Sequence, residues 1–274
     1  MSDFKSWRSF WDFNHEVRRK FRYVRTPDHE DFLKAVAETC HSRKVVLKEG
    51  SILWRARLGH DFRDEHHNDE IFPVECAYSP KQMKPLRDKA YDGRANPKGI
   101  PCLYLANRKE TAVSEIRPWI GSYVSVGQFK LLRNVELIHC SRGREDKDKY
   151  TYLDSLLNGK TLTPVEIEKA IWSEIDDAFS EPMTRSDDSA DYVATQILSE
   201  LFKREGFGGV AYRSNFGENG HNIALFDIEA ADLINCALCR VTSVAVQFDQ
   251  VDNPYFVKKH YPTKKKKPRP DRKA

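Results

Sequence analysis

No apolar run of about 18 residues occurs in the 274-residue chain, so no membrane-spanning helix is expected. No apolar stretch follows Met1-Ser2-Asp3-Phe4-Lys5, which argues against a secretory leader and for a cytoplasmic protein. Cysteine is sparse. Cys40, Cys76, Cys102, Cys140, Cys236 and Cys239 are scattered, mostly among apolar residues, and free thiols are the expected state. Glycine loops of the P-loop or dinucleotide-binding kind are missing, as is a Gly-x-Ser-x-Gly nucleophile turn. Cys236-Ala-Leu-Cys239 is one CxxC without a second pair downstream, and its apolar neighbours disfavour zinc. His60, His66 and His67 fall in a polar stretch and read as solvated. No resident metal or cofactor is expected.

An excess of charge is also missing from most of the chain. The formal net charge is +4, but residues 258–274 hold nine Lys or Arg and one Asp, a net of +8, leaving the remainder at −4. A nucleic-acid-binding body is therefore not suggested. The run Lys264–Lys267 with Arg269, Arg272 and Lys273 can bind phosphate non-specifically, but no aromatic residues interleave the lysines as in a reading surface. A solvated tail, disordered by composition, is the expectation for 258–274.

What is present is a globular composition, with 40% hydrophobic residues, 15 Phe, 11 Tyr and 5 Trp. Phe4, Trp7, Phe10 and Trp11 recur at helical spacing and predict a helix docked on its own domain. Thr26-Pro27-Asp28 reads as a helix start, with Phe32, Leu33, Val36, Ala37 and Cys40 on one face. These segments make residues 1–43 an N-terminal helical extension. Residues 44–257 then form the main domain, with insertions at about 58–92 and 141–188.

Within that domain, Val45–Lys48 and Ile52–Arg57 predict a strand pair, and 58–92 reads as an irregular surface excursion. Residues 101–105 predict a short buried strand, and Asn107 a cap for a helix running to about Ile116. Val124, Val126, Phe129 and Leu131 change phase near Gly127, which predicts a bulge there. Val135–His139 reads as a strand. Thr163-Pro164-Val165-Glu166 is a capping box, and a further helix spans about 189–205, closed by Gly206. Gly208–Tyr212, Asn222–Asp227 and Val241–Phe248 read as strands. Strands and helices mix without a regular βαβ rhythm, so the fold class is α+β, a mixed β-sheet core with flanking helices.

Four segments stand out chemically. Leu53-Trp54-Arg55-Ala56-Arg57 places Arg55 in an apolar strand, where an unpaired charge is costly. Gly93-Arg94-Ala95-Asn96-Pro97 is a turn-rich loop presenting Arg94 and Asn96. Tyr104 in Leu103-Tyr104-Leu105 is followed by Glu115 at the end of a short helix. Tyr212-Arg213-Ser214 leads to a polar loop, and His221-Asn222-Ile223 leads back. In this order, over roughly residues 44–230, the segments resemble the RES domain, named for its Arg, Glu and Ser. The family's aromatic residue after the second arginine is replaced here by Ala95.

The resemblance implies an ADP-ribosyltransferase-like fold acting on NAD⁺ as substrate. It also implies the toxin half of a bacterial toxin–antitoxin pair, neutralised by a helix-turn-helix antitoxin of Xre type. Its implied catalytic residues are Glu115, Arg55, Ser214 and Tyr104, and its NAD⁺-binding residues Arg94, Asn96, Tyr212 and Asn222. The residue types suit cleavage of the nicotinamide–ribose bond. A carboxylate opposes the oxocarbenium charge, arginines match a pyrophosphate, and a tyrosine offers a stacking face. Water as acceptor gives a glycohydrolase, phosphate a phosphorylase, and a protein or nucleic-acid side chain an ADP-ribosyltransferase. A non-catalytic interaction module or basic-tailed nucleic-acid binder is the rival class.

Overall fold

The computed structural model describes residues 4–250 except 68–69, 87–88, 144–157, 160, 182–188, 217–219 and 247. The expected basic tail at 258–274 lies outside the described residues. The chain divides into two units, Met1–Thr242 and Ser243–Ala274. Every element described below belongs to the first.

Two N-terminal helices come first, α1 (Ser9–Arg19) and α2 (Pro27–Cys40). The buried face of α1 is Phe10, Phe13 and Val17, while Trp11 is half exposed and stacks on His15. α2 starts where Thr26 and Pro27 predict. The Thr26 hydroxyl accepts from the His29 amide at 3.3 Å, and the Thr26 amide donates to His29 Nδ1 at 3.4 Å. Later come α3 (Pro80–Met83), α4 (Lys109–Glu115), α5 (Pro164–Ser180) and α6 (Val193–Arg204). The Thr163–Glu166 capping box is present, and Gly206, at φ +90°, follows α6 in the left-handed conformation glycine adopts freely.

The strands are β1 (Lys44–Leu47), β2 (Ile52–Leu58), β3 (Asp61–His67), β4 (Glu70–Cys76), β5 (Leu103–Ala106), β6 (Tyr123–Leu131), β7 (Val135–His139), β8 (Gly209–Arg213), β9 (His221–Leu225) and β10 (Ala231–Arg240). Eight form one mixed sheet in the order β1-β7-β8-β9-β5-β2-β6-β10. Among the described strands only β7 and β8 pair in parallel. The fold is thus the expected α+β class, a mixed sheet with flanking helices.

Period-two alternation sends neighbouring residues to opposite faces. Ile138, Val210, Tyr212 and Ala224 meet α1, α2, α5 and α6 in one apolar cluster. Leu137, Ala211, Ile223 and Leu225 enter a second cluster with Leu53, Phe129, Leu131 and Ala231. That second cluster draws on strands toward both ends of the sheet. Trp172, Phe179 and Phe202 are fully buried in the helical layer, each worth about 1.5–3 kcal/mol of burial. The Trp172 indole donates to the Thr39 hydroxyl at 3.1 Å, tying α5 to α2.

Four local expectations are corrected. The 58–92 segment is not irregular, because β3 and β4 pair over their whole length. Their residues are mostly exposed, so no apolar alternation marked them. Among the described residues the last strand is Ala231–Arg240, and residues 241–246 form none. β10 is an edge strand with a largely exposed mix of side chains, which hid it. The bulge lies on β10, between Leu233 and Asn235, and β6 runs through unbroken. Gly127 supplies room for it, since a Cβ there would come 2.5 Å from Leu233. Asn107 does not cap α4. Its side chain accepts from the His221 amide at 2.8 Å, and Arg108 occupies the cap position.

Candidate active site

β2 and β5 are joined by a single residue pair, Trp54 with Ala106. Where they part, the carbonyl of Tyr104 takes the guanidinium of Arg55 instead, Nη1 donating at 2.9 Å. The arginine side chain thus replaces a ladder bond on the open side of β5. Its Nε is buried with no partner among the described residues. Burial pushes the Arg55 pKa down to about 10, and neighbouring Arg57 adds repulsion.

The Gly93–Asn96 loop packs behind Tyr104. The Tyr104 hydroxyl accepts from the Ala95 amide at 2.9 Å and donates to Asn96 Oδ1 at 2.7 Å. A Cβ at Gly93 would collide with that hydroxyl and with Asn96, so only glycine permits the approach. The Asn96 amide donates to the carbonyls of Tyr91, Pro97 and Ile100. Arg94 reaches the end of α5, donating to the carbonyls of Ala178 and Glu181. Its guanidinium lies 5.9 Å from the ring centre of Tyr192. A cation at a helix C-terminus meets the favourable end of the helix dipole.

Glu115 is the last residue of α4. Its Oε1 accepts from the Ser214 hydroxyl at 2.7 Å and from the Asn222 amide at 2.6 Å. Ser214 follows β8 and Asn222 lies on β9, so the polar loop between them brings two donors to one oxygen. Gly220 makes this possible, because a Cβ there would lie 2.5 Å from the Thr111 hydroxyl on α4. Tyr212 is buried against Phe179, ring centres 5.4 Å apart, and burial raises its pKa.

A cavity of about 300 Å³ collects Arg55, Arg94, Tyr104, Glu115, Tyr212 and Asn222 on its walls. Ser214 stands behind Glu115, and Asn96 lines a neighbouring cavity of about 450 Å³. The two cavities share Arg55, Gly93 and Tyr104, and the second adds Arg57, Lys84 and Lys89. A further cavity of about 460 Å³ lies at α1 and α2 and shares no lining residue with either. Its charges largely answer one another, Lys5 with Asp28 and Asp31, and Glu16 with His29 and Lys20. The convergence of a carboxylate with two arginines favours the Glu115 cavity as the chemical centre.

Sequence reasoning did not single out Trp54 or Tyr192, which also line the Glu115 cavity. Tyr192 directly precedes a helix, and its aromatic character was the only signal. Cys236 and Cys239, three apart on β10, pack in different apolar clusters, as opposite faces of a strand require. Among the described residues no three His, Cys, Asp or Glu side chains converge as a metal site. No helix among the described residues is long and apolar enough to cross a membrane.

A search of curated proteins returns no match. Among solved structures, a chain of the M. tuberculosis MbcT–MbcA toxin–antitoxin complex is similar over 75% of this chain and 92% of its own, at 14% identity and a TM-score of 0.39. The family model of the RES domain matches residues 73–249. Glu115, Ser214, Tyr104, Arg94 and Asn222 fall inside that span, whereas Arg55, α1 and α2 precede it. With more than half of its length matched, the chain belongs to the RES domain family.

Proposed function

We propose that this RES domain breaks NAD⁺ at the nicotinamide–ribose bond. The observation that carries the reading is Glu115, anchored by Ser214 and Asn222 on the wall of a cavity that also holds Arg55 and Arg94. The two donors converge on Oε1, which leaves Oε2 for the ribose. The Glu115 cavity takes the nicotinamide riboside half. The adjoining cavity, with Arg57 and Lys89, takes the ADP half; Lys84, also on its wall, is already paired with Glu229 and Asp232. Arg55 lines both, where the pyrophosphate crosses. Their volumes lie in the range of small-molecule sites, about 300–1,000 Å³.

In the reaction the C1′–N bond breaks and its electron pair goes to the nicotinamide nitrogen, neutralising the pyridinium. Nicotinamide leaves uncharged, so no strong general acid is needed. Positive charge develops on the ribose, and the Glu115 carboxylate opposes it. Water adds its oxygen to C1′ and releases a proton, giving ADP-ribose, or phosphate adds and gives its phosphorylated form. Tyr104 offers a wall for the ring, and the arginines fix the substrate by positioning rather than by covalent chemistry.

The family resemblance supports the further reading that the chain is a toxin held in check by an Xre-type helix-turn-helix antitoxin. Expression alone should then arrest a bacterial host, and co-expression of the antitoxin should relieve it. The direct test incubates purified protein with NAD⁺, with and without phosphate, and separates the products. Nicotinamide with ADP-ribose means hydrolysis, and a phosphorylated ADP-ribose means phosphorolysis. Intact NAD⁺ in both would overturn the reading in favour of macromolecular transfer or a binding module.

A further inference from the structure

Arg94 is held from a direction that begins outside the RES match. Arg18, on α1, donates through Nη2 to the carboxylate of Asp191. Asp191 lies in the 3₁₀ turn Ser189–Tyr192, directly before α6. The next residue, Tyr192, lines the Glu115 cavity and carries the Arg94 guanidinium near its ring. One turn further, the Gln196 amide donates to the carbonyls of Gly93 and Asn96, each at 3.0 Å. The start of α6 is therefore tied to the Arg94 loop at two points and to α1 by an ion pair. The side chains of Arg18 and Asp191 are 28% and 34% exposed, a partly shielded setting where such a pair is screened less than on open surface.

We propose that Arg18 is a positioning residue of the active site. Through Asp191 and Tyr192 it sets where Arg94 presents its guanidinium. α1 is then part of the working site and not only a cover for the core. The inference rests on the reading that Arg94 contacts the pyrophosphate of NAD⁺. An arginine that merely decorates the surface would leave substrate affinity untouched. One that positions Arg94 must act on affinity, and must act only while Arg94 is present.

The test compares full-length wild type with Arg18→Ala, Arg18→Lys, Arg94→Ala and the Arg18→Ala/Arg94→Ala pair. Arg18→Ala should raise KM for NAD⁺ about threefold to tenfold with kcat within about twofold. That is part of the roughly tenfold or greater loss expected when a charge-assisted hydrogen bond is removed outright. Arg18→Lys should restore KM. In the Arg94→Ala background, Arg18→Ala should add nothing to the loss in kcat/KM, as for two residues acting on one contact. Backbone amide exchange in Arg18→Ala should quicken at 189–196 and 93–96. An unchanged KM, a fall in kcat alone, or additive losses would overturn the proposal. Failure of wild type to cleave NAD⁺ would defeat the functional reading instead. Exchange then decides the positioning by itself: unchanged rates in both segments overturn it, and faster rates sustain it.

Discussion

Replacing Glu115 by glutamine removes the charge while keeping the shape and an oxygen for both donors. A carboxylate about 4 Å from a full positive charge is worth about 4 kcal/mol at an effective dielectric near 20. The oxocarbenium charge is partial, so about 3–4 kcal/mol is the working range, and kcat should fall roughly 10²- to 10³-fold. Stability should change far less. The Ser214 and Asn222 bonds to Oε1 become neutral hydrogen bonds, roughly half as strong as charge-assisted ones. That costs about 1–2 kcal/mol, a few degrees in Tm for a domain of this size. Glu115→Ala confounds the two effects, because it strands the buried Asn222 amide at about 1–3 kcal/mol, while the Ser214 hydroxyl keeps its bonds to the Phe216 backbone. The assay is the initial rate of nicotinamide release, with thermal unfolding measured on the same preparations. If Glu115→Gln keeps its rate within about threefold while NAD⁺ is cleaved by wild type, Glu115 is only the anchor of the β8–β9 loop and the mechanism is wrong.

Gly220→Ala should destabilise by about 1–3 kcal/mol, because the new methyl meets Thr111, which is 3% exposed and cannot retreat. Thr111→Ala, which removes the hydroxyl that the new methyl meets, should cost less Tm in the Gly220→Ala background than in the wild type, and an equal cost in both would mean the clash is not the cause. Arg117 sits at φ +44° directly after α4's cap residue. Arg117→Gly should therefore be more stable than Arg117→Ala by about 1 kcal/mol, with equal stabilities in denaturant titration counting against backbone strain. His139 titrates below its ordinary 6.5 because it is partly buried and faces His221. The unfolded chain then binds the proton more tightly, so stability is full above about 6.5 and is lost as pH falls toward the folded pKa. A Tm–pH profile should flatten there in His139→Gln, and an unchanged slope would assign the effect elsewhere.

The helices were largely legible because their signals are local. Thr26 and Pro27, the Thr163–Glu166 box and Gly206 each act within one turn of chain, and each lies where the sequence places it. β8 and β9 were legible because both faces are buried and the apolar runs are dense, and β7 because Val135, Leu137 and Ile138 are buried. β3, β4 and β10 were not, because exposed or edge strands need no apolar alternation. The bulge was assigned to the wrong strand for a related reason. A phase change near Gly127 reports a local irregularity, but which strand carries the extra residue depends on the partner, Leu233 to Asn235.

The site divides in the same way. Glu115 could be found in the sequence as a carboxylate among apolar residues. That Ser214 and Asn222 would meet on one of its oxygens depends on how tightly β9 approaches α4, which Gly220 decides. Arg55 shows why structural and functional readings of one residue need not compete. Parting β2 from β5 opens a cavity in the sheet but leaves the Tyr104 carbonyl without a ladder donor. An apolar residue at position 55 would leave that carbonyl unsatisfied, at about 1–3 kcal/mol. A lysine brings one compact ammonium, which cannot face the carbonyl and a bidentate anion in fixed geometry at once. A guanidinium has five donors. One closes the seam at 2.9 Å, the Nε donor is buried, and the others belong to a side chain that lines both cavities. The charge that makes the residue look out of place in an apolar strand is thus what allows the sheet to part there.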